Sequence, residues 1–166
     1  MQAAVYEGII ESPLGPICLM GTDQGLTRVD FQHGERPVDR PLSGRTPPGY
    51  FDQAMQQLRE YFEGARQAFD LPLAPPGTAF QQQVWQALQQ IPYGRTTTYQ
   101  DLAAHLGKPT ASRAVGSANG RNPIAIIIPC HRVIGRDGRL RGYAGGLHLK
   151  QQLLQHEGAW PQSRMS

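Results

Sequence analysis

The chain of 166 residues has little of what marks several large protein classes. Cysteine occurs twice, at Cys18 and Cys130, which is too few for a disulfide framework and points to a reducing, cytoplasmic setting. No run approaches the roughly 18 apolar residues that a membrane-crossing helix needs. The N-terminal residues lack the basic stretch and apolar core of a secretory signal. Neither membrane association nor export is therefore expected. Acidic residues are scarce in one half only. Residues 80–166 hold three Asp/Glu against ten Lys/Arg, whereas residues 1–79 hold ten Asp/Glu against six Arg. Formal charge is thus +7 in the second half and −4 in the first. A basic half suits a polyanion, because Lys and Arg gain affinity by releasing counterions from phosphates. Charge alone leaves a merely solubilising face equally open. What is present, 39% hydrophobic residues with 17% charged, is enough to bury a core.

Residues 5–10, 17–20 and 26–31 have strand character and are separated by the turn sequences Ser12-Pro13-Leu14-Gly15 and Thr22-Asp23-Gln24-Gly25. They predict a three-stranded meander. Pro and Gly recur through residues 32–49, which read as a long loop. Phe51, Met55, Leu58 and Phe62 then follow helical spacing, with Gly64 as a stop. Leu71-Pro72-Leu73-Ala74-Pro75-Pro76-Gly77 reads as a stiff linker, so domains are expected over 1–76 and 77–166. Beyond it, Phe80, Val84, Leu88 and Ile91 form a helical stripe ended by Pro92-Tyr93-Gly94. Thr98, three residues before Asp101, starts a helix that buries Leu102, Ala103 and Leu106, and residues 110–118 form another after Gly107. Two short helices around a Gly-containing turn make a helix-turn-helix pattern, which by itself is weak evidence for DNA contact. The second helix carries small residues and one Arg113. That suits close approach in a minor groove better than base reading in a major groove, although tight helix packing uses the same residues.

The chemistry concentrates in residues 122–133. Residues 124–128 are a continuous apolar, mostly β-branched run and predict a buried strand. The strand would deliver Cys130 to its end, after Pro129 and beside His131 and Arg132. A free thiol ionises near pH 8.5, and a neighbouring His and Arg would raise the thiolate fraction. A buried structural cysteine is the competing reading.

Pro129-Cys130-His131-Arg132-Val133 resembles the active-site motif of the O6-alkylguanine-DNA alkyltransferases. Residues 78–158 resemble that family's C-terminal domain, with Tyr99, Arg113, Asn122, Tyr143 and Glu157 at the family's spacing from the cysteine. The first half is similar more loosely, in length and in its strand–strand–strand–helix order. The resemblance implies an α+β chain: a small three-stranded sheet with a helix, ribonuclease H-like, followed by a mostly helical, winged helix-turn-helix-like domain. It implies stoichiometric, irreversible transfer of an alkyl group from O6 of guanine, and from O4 of thymine, in double-stranded DNA to Cys130. His131 would be the base, through a water; Glu157 would orient it, Asn122 would shape the turn, and Tyr99 would donate as guanine leaves. The nucleotide must be turned out of the duplex to reach a thiol. Arg113 would fill the gap, Ala111, Ala114 and Gly116 would allow close approach, and Gln100, Lys108 and Arg136 would lie near phosphates. Val133, Tyr143, Ala144 and Gly145 would wall the pocket.

Two departures matter. Many relatives have Ser where this chain has Ala144, which leaves alkyl-size preference open. The first half offers only Cys18 and His33 as soft ligands, too few for a structural zinc, so no metal and no cofactor is expected. A monomer is expected, with cooperative binding along DNA left open. The competing functions are a damage-recognition protein without transfer, a helix-turn-helix regulator, and a cysteine hydrolase using Cys130 and His131. The acceptor cysteine argues against the first, and consumption rather than turnover separates the third.

Overall fold

Residues 6–31 form the sheet that turn chemistry and alternation predict. β1 (Tyr6–Ile10), β2 (Ile17–Thr22) and β3 (Gly25–Phe31) are joined in the order β1-β2-β3. Both pairs are antiparallel, with Tyr6 opposite Gly21 and Ile10 opposite Ile17 in one, and Ile17 opposite Phe31 in the other. The computed structural model describes residues 5–31, 46–143 and 146–160. Residues 32–45 of the expected loop lie outside that range. α1 (Asp52–Phe62) buries Ala54, Leu58 and Tyr61, and the chain leaves it through Gly64, whose φ of 79° favours glycine.

The proline-rich stretch is tied down more than a linker reading allows. Leu26 N donates to Pro72 O at 2.9 Å and Ala74 N donates to Leu26 O at 2.7 Å, a parallel bridge to the start of β3. Prolines 72 and 75 flank Leu73 without interrupting it, since an edge segment tolerates missing donors.

The chain divides into two compact units, Met1–Pro76 and Gly77–Ser166. The second opens at α2 (Ala79–Leu88), which starts with a full capping box: Thr78 Oγ1 accepts from Gln81 N, and Gln81 Oε1 accepts from Thr78 N. Val84, Trp85, Ala87 and Leu88 are its buried face. α3 (Tyr99–His105) is capped by Thr98, whose hydroxyl accepts from Asp101 N at 3.1 Å. Gly107, at φ 74°, makes the turn toward α4 (Ser112–Gly120). α4 packs on both α2 and α3, and Trp85 Nε1 donates to Ala118 O at 2.9 Å inside that contact. α5 (Leu147–His156) closes the unit. Three elements have no counterpart in the sequence reading: α5, and the two strands of a short parallel pair, β4 (Thr97–Thr98) and β5 (Val133–Ile134).

The run 124–128 is not a strand. It folds into consecutive tight turns. Ile127 N donates to Ala125 O at 2.8 Å around Ile126, whose φ is 71°, and Cys130 N donates to Ile128 O at 2.8 Å around Pro129 (φ −82°, ψ 62°). These are i to i+2 turns, the second with inverse γ geometry. The side chain of Asn122 is the cause. Its Nδ2 donates to Ile124 O and Ile128 O at 3.2 and 2.8 Å, and its Oδ1 accepts from Ile124 N at 3.0 Å. Asparagine supplies the bonds that a neighbouring strand would have given, so local bonding wins over β-propensity. Ile124, Ile126, Ile127 and Ile128 are buried all the same, so the loop is anchored by its own apolar side chains. A β-branched residue at positive φ costs about 1–3 kcal/mol, a strain that such anchoring offsets.

Candidate active site

Cys130 begins a single 3-10 turn, Cys130–Arg132, at the exit of this loop. The turn replaces the extended geometry expected there, and it aims three successive side chains inward: Cys130, His131 and Arg132 are all buried. β5 follows at once and is held by β4, which precedes α3 and Tyr99. Thus the short parallel pair brings the thiol segment and Tyr99 into one neighbourhood.

His131 and Glu157 meet, as the family resemblance implies. His131 Nε2 lies 2.8 Å from Glu157 Oε2, with both side chains fully buried. Arg132 completes the arrangement. Its Nε donates to Glu157 Oε1 at 2.8 Å, its Nη2 to Oε2 at 3.1 Å, and its Nη1 to Ile91 O at 2.6 Å. Burial taken alone would raise the Glu157 carboxyl, but the bonds and charges of His131 and Arg132 outweigh it and hold it down at about 2. Glu157 is therefore a carboxylate, and only an N–H can face it, so His131 Nε2 carries the hydrogen. Burial pushes the imidazole below its ordinary range, with Arg132 and Lys150 adding to that push against the pull of Glu157. The ring is neutral at pH 7 and Nδ1 holds a free lone pair. That atom is buried without a hydrogen-bond partner among the described residues.

The thiol itself is shifted upward, chiefly by burial; Asn122 and the Lys150 charge pull the other way. The expectation that His131 and Arg132 would acidify it does not hold, because both are committed to Glu157. Asn119, on α4, donates to Cys130 O at 3.4 Å and fixes the backbone. Tyr99 stays protonated, raised by burial and by the charge of Cys130.

A cleft of about 550 Å³ lies beside the thiol's neighbours, lined by Tyr99, Gln100, Ser112, Arg113, Gly116 and Tyr143 among others. It gathers Tyr99 and Tyr143 with three residues expected at DNA. Arg113 and Ala114 are exposed on α4, Ala111 precedes that helix, and Lys108 lies 5.4 Å from the Phe80 ring centroid. Arg136 lines a second, more polar cleft of about 810 Å³ with Thr96, Thr97, Thr98 and Arg139. Val133 is fully buried in β5 rather than on a cleft wall, and Ala144 and Gly145 lie outside the described residues. Sequence reasoning missed Arg132, Asn119 and Lys150 as site residues. For Lys150 a signal existed: it interrupts an apolar face with Leu149, Leu153 and Leu154, seven residues before Glu157.

A buried thiol framed by Asn122 thus shares one turn with a neutral histidine bonded to a buried carboxylate, on the basic half of the chain. Comparison with known proteins gives the family. Residues 79–159 match the 6-O-methylguanine DNA methyltransferase DNA binding domain, and residues 5–75 match the ribonuclease-like domain of the same methyltransferases. A methylated-DNA–protein-cysteine methyltransferase of Methanosarcina barkeri is 54% identical over 92% of this chain and 97% of its own. Among solved structures, the Mycobacterium tuberculosis O6-methylguanine methyltransferase is 44% identical with a TM-score of 0.79, covering 96% of each chain. The Mycobacterium tuberculosis OGT in complex with DNA is 45% identical with a TM-score of 0.78, covering 93% of this chain and 94% of that one. The chain belongs to the 6-O-methylguanine DNA methyltransferase family.

Proposed function

We propose that this protein repairs DNA directly, by moving the alkyl group from O6 of guanine, or O4 of thymine, in double-stranded DNA onto Cys130, once per molecule. The observation that carries the reading is a buried His131–Glu157 pair, held by Arg132, whose histidine lies in the same 3-10 turn as a buried cysteine whose loop Asn122 ties shut. The Sγ proton passes to His131 Nδ1 through a bridging water, while Glu157 holds the ring by its Nε2–H. The thiolate attacks the alkyl carbon, an S–C bond forms, the C–O6 bond breaks and its electron pair stays on guanine. Guanine takes up one proton, for which Tyr99 is the donor at the cleft wall. The product is a thioether, which no group of the site can hydrolyse, so the reaction stops at one equivalent.

A guanine within a duplex cannot reach a thiol that is 6% exposed, so the nucleotide turns out into the cleft of Tyr99, Gly116 and Tyr143. α3 and α4 act as a helix-turn-helix in the minor groove, in a winged arrangement with the segment after β5. Arg113 enters the stack, Ala111, Ala114 and Gly116 permit close approach, and Gln100, Lys108 and Arg136 meet phosphates. Ala144 and Gly145 complete the pocket with Val133 behind it. Residues 1–76 and 77–166 are separate domains, the second holding the whole reaction. The protein works in the cytoplasm, as a monomer, with no cofactor.

Incubation with a duplex carrying radiolabelled O6-methylguanine tests this. Label should move to protein at one equivalent, and peptide mapping should place it on Cys130. The Cys130→Ser variant should transfer nothing while keeping its affinity for DNA, because an alcohol is a far poorer nucleophile at neutral pH. Label on Cys18, more than one equivalent per protein, or transfer by the serine variant at the original rate would refute the assignment.

A further inference from the structure

The chain has two asparagines, and both turn their amides on the loop of Cys130. Asn122 uses both ends of its side chain there: Nδ2 donates to Ile124 O and Ile128 O, and Oδ1 accepts from Ile124 N. Asn119 uses one end. Its Nδ2 donates to Cys130 O at 3.4 Å, and its Oδ1 is buried with no hydrogen-bond partner among the described residues. Chemistry fixes which end is which, since a carbonyl only accepts and the NH2 group must face it. Asn119 is 2% exposed, so the idle oxygen is cut off from bulk solvent.

A buried acceptor of this kind has lost its hydration without return, which native proteins rarely tolerate away from a functional site. His131 Nδ1 is in the same condition, and the reaction employs it as the base. Asn119 Oδ1 has no part in that step. Its place on α4 points to another. Gly116, three residues earlier on the same side of the helix, and Gly120, next in sequence, both line the cleft of about 550 Å³ with Tyr99. The fold requires neither glycine. A Cβ at Gly120 would meet nothing within 4 Å beyond its chain neighbours, and one at Gly116 would meet only the Tyr99 ring, at 3.5 and 3.8 Å. Asn119 therefore lies where α4 presents bare backbone to the cleft, and its amide is bonded to the peptide that joins the nucleophile to His131.

A base that brings its alkyl carbon to Cys130 Sγ comes up beside that peptide. Alkylation at O6 removes the hydrogen from N1 of guanine, and N9 carries the sugar. The 2-amino group is then the one N–H donor left on the base. We propose that Asn119 reads this group: Oδ1 accepts from the 2-amino group of the turned-out O6-alkylguanine, while Nδ2 keeps its bond to Cys130 O. One side chain then holds both the nucleophile's carbonyl and the lesion base. O4-alkylthymine has lost the hydrogen on N3 and offers no such donor, so the same oxygen favours alkylguanine over alkylthymine. A site built to bond a substrate group rejects the analogue that lacks it, because its own polar atom is left buried and unpaired. The inference rests on Cys130 being the alkyl acceptor, and adds to that reading the choice between bases.

The test is single-turnover transfer from three duplexes of one sequence, carrying O6-methylguanine, O6-methylhypoxanthine (the same base without its 2-amino group) or O4-methylthymine. Each is given to the wild type and to Asn119→Leu, which keeps the size of the side chain and has no polar atom. Comparing the two proteins on each duplex cancels the cost of opening the pair, which belongs to the DNA. A loss common to all three measures the bond to Cys130 O. Beyond it, the leucine variant should lose about a further tenfold on O6-methylguanine alone, the worth of one buried hydrogen bond between neutral groups. Equal factors on all three duplexes overturn the inference and leave Asn119 a support of the backbone. Should that variant not fold, NMR decides. Two asparagines labelled with 13C at Cγ give two side-chain carbonyl resonances, with Asn122 as the reference. In the Cys130→Ser protein, the Asn119 resonance should move on binding the O6-methylguanine duplex and stay put with the O6-methylhypoxanthine duplex. Identical responses to the two also overturn it. Absence of any transfer to Cys130 would refute the repair function, whereas transfer with equal factors refutes the reading of the base alone.

Discussion

Arg132 spends its guanidinium on structure: two bonds to Glu157 and one to Ile91 O. A bidentate pair of this kind is rigid, and losing one member leaves the other charge buried and unpaired. Arg132→Met should therefore cost about 3–5 kcal/mol at pH 7 by urea denaturation. The pH dependence follows from the signs. His131 is held below its ordinary 6.5, so the stability of its neutral form is complete above that value and is lost as pH falls below it. Glu157 is held at about 2 against an ordinary 4.5, so its contribution is complete above 4.5 and lost as pH falls toward 2. The wild type should lose stability in those two successive windows. The gap to Arg132→Met should narrow in the second, where the wild type loses its own pair. A gap that stays constant from pH 7 down to pH 3 would mean Arg132 contributes packing rather than charge. At this scale the motif made Cys130 and His131 legible as candidates, and the wider family resemblance added Asn122 and Glu157. Arg132 was visible only as a neighbour in sequence, because its partner lies 25 positions away and nothing local announces the pair.

Among the elements, β1 to β3 and α1 to α4 were legible because turn residues and apolar spacing agree with the fold. The loop 124–130 was not, because an isoleucine-rich run has the composition of a buried strand and differs only in what Asn122 bonds to. α5 was hidden by its lack of a side-chain N-cap and by the lysine on its buried face. α4 is the element whose sequence most invites a functional test. A Cβ added at Gly116 would meet only Tyr99, at 3.5 and 3.8 Å, ordinary contact distances, so the surrounding protein does not require glycine there. Arg113 is exposed on the same cleft. If it replaces a turned-out nucleotide in the stack, Arg113→Ala loses the few kcal/mol that offset unstacking. Repair of duplex DNA should slow at least tenfold more than reaction with free O6-alkylguanine, which needs no extrusion. Paired single-turnover assays on the two substrates measure this, and equal losses would place Arg113 in the fold or the pocket instead.

For the whole molecule, the charge of +7 on residues 80–166 overstates what DNA can meet. Arg132 and Lys150 are buried at the active site, and Arg164 lies outside the described residues. Seven cations remain exposed: Arg95, Lys108, Arg113, Arg121, Arg136, Arg139 and Arg141. Asp137 takes up two of them, Arg141 at 2.9 Å and Arg139 at 3.7 Å. These surface pairs are weak enough to exchange for phosphate, so about four to six phosphate contacts is the range the basic unit supports. At about 0.9 counterion released per phosphate, log K should fall with log salt at a slope of about −4 to −5. Residues 1–79 carry a formal −4, so their net field opposes rather than adds to phosphate binding. α4 offers small side chains and one arginine, so undamaged duplexes of different sequence should bind alike. Selection of the lesion then falls to the ease with which a damaged pair opens and to the fit of its base in the cleft. Titrating several undamaged duplexes across salt concentrations checks both statements at once. A flat salt response with strong preference for one sequence would return the molecule to the regulator reading, in which the second helix reads bases.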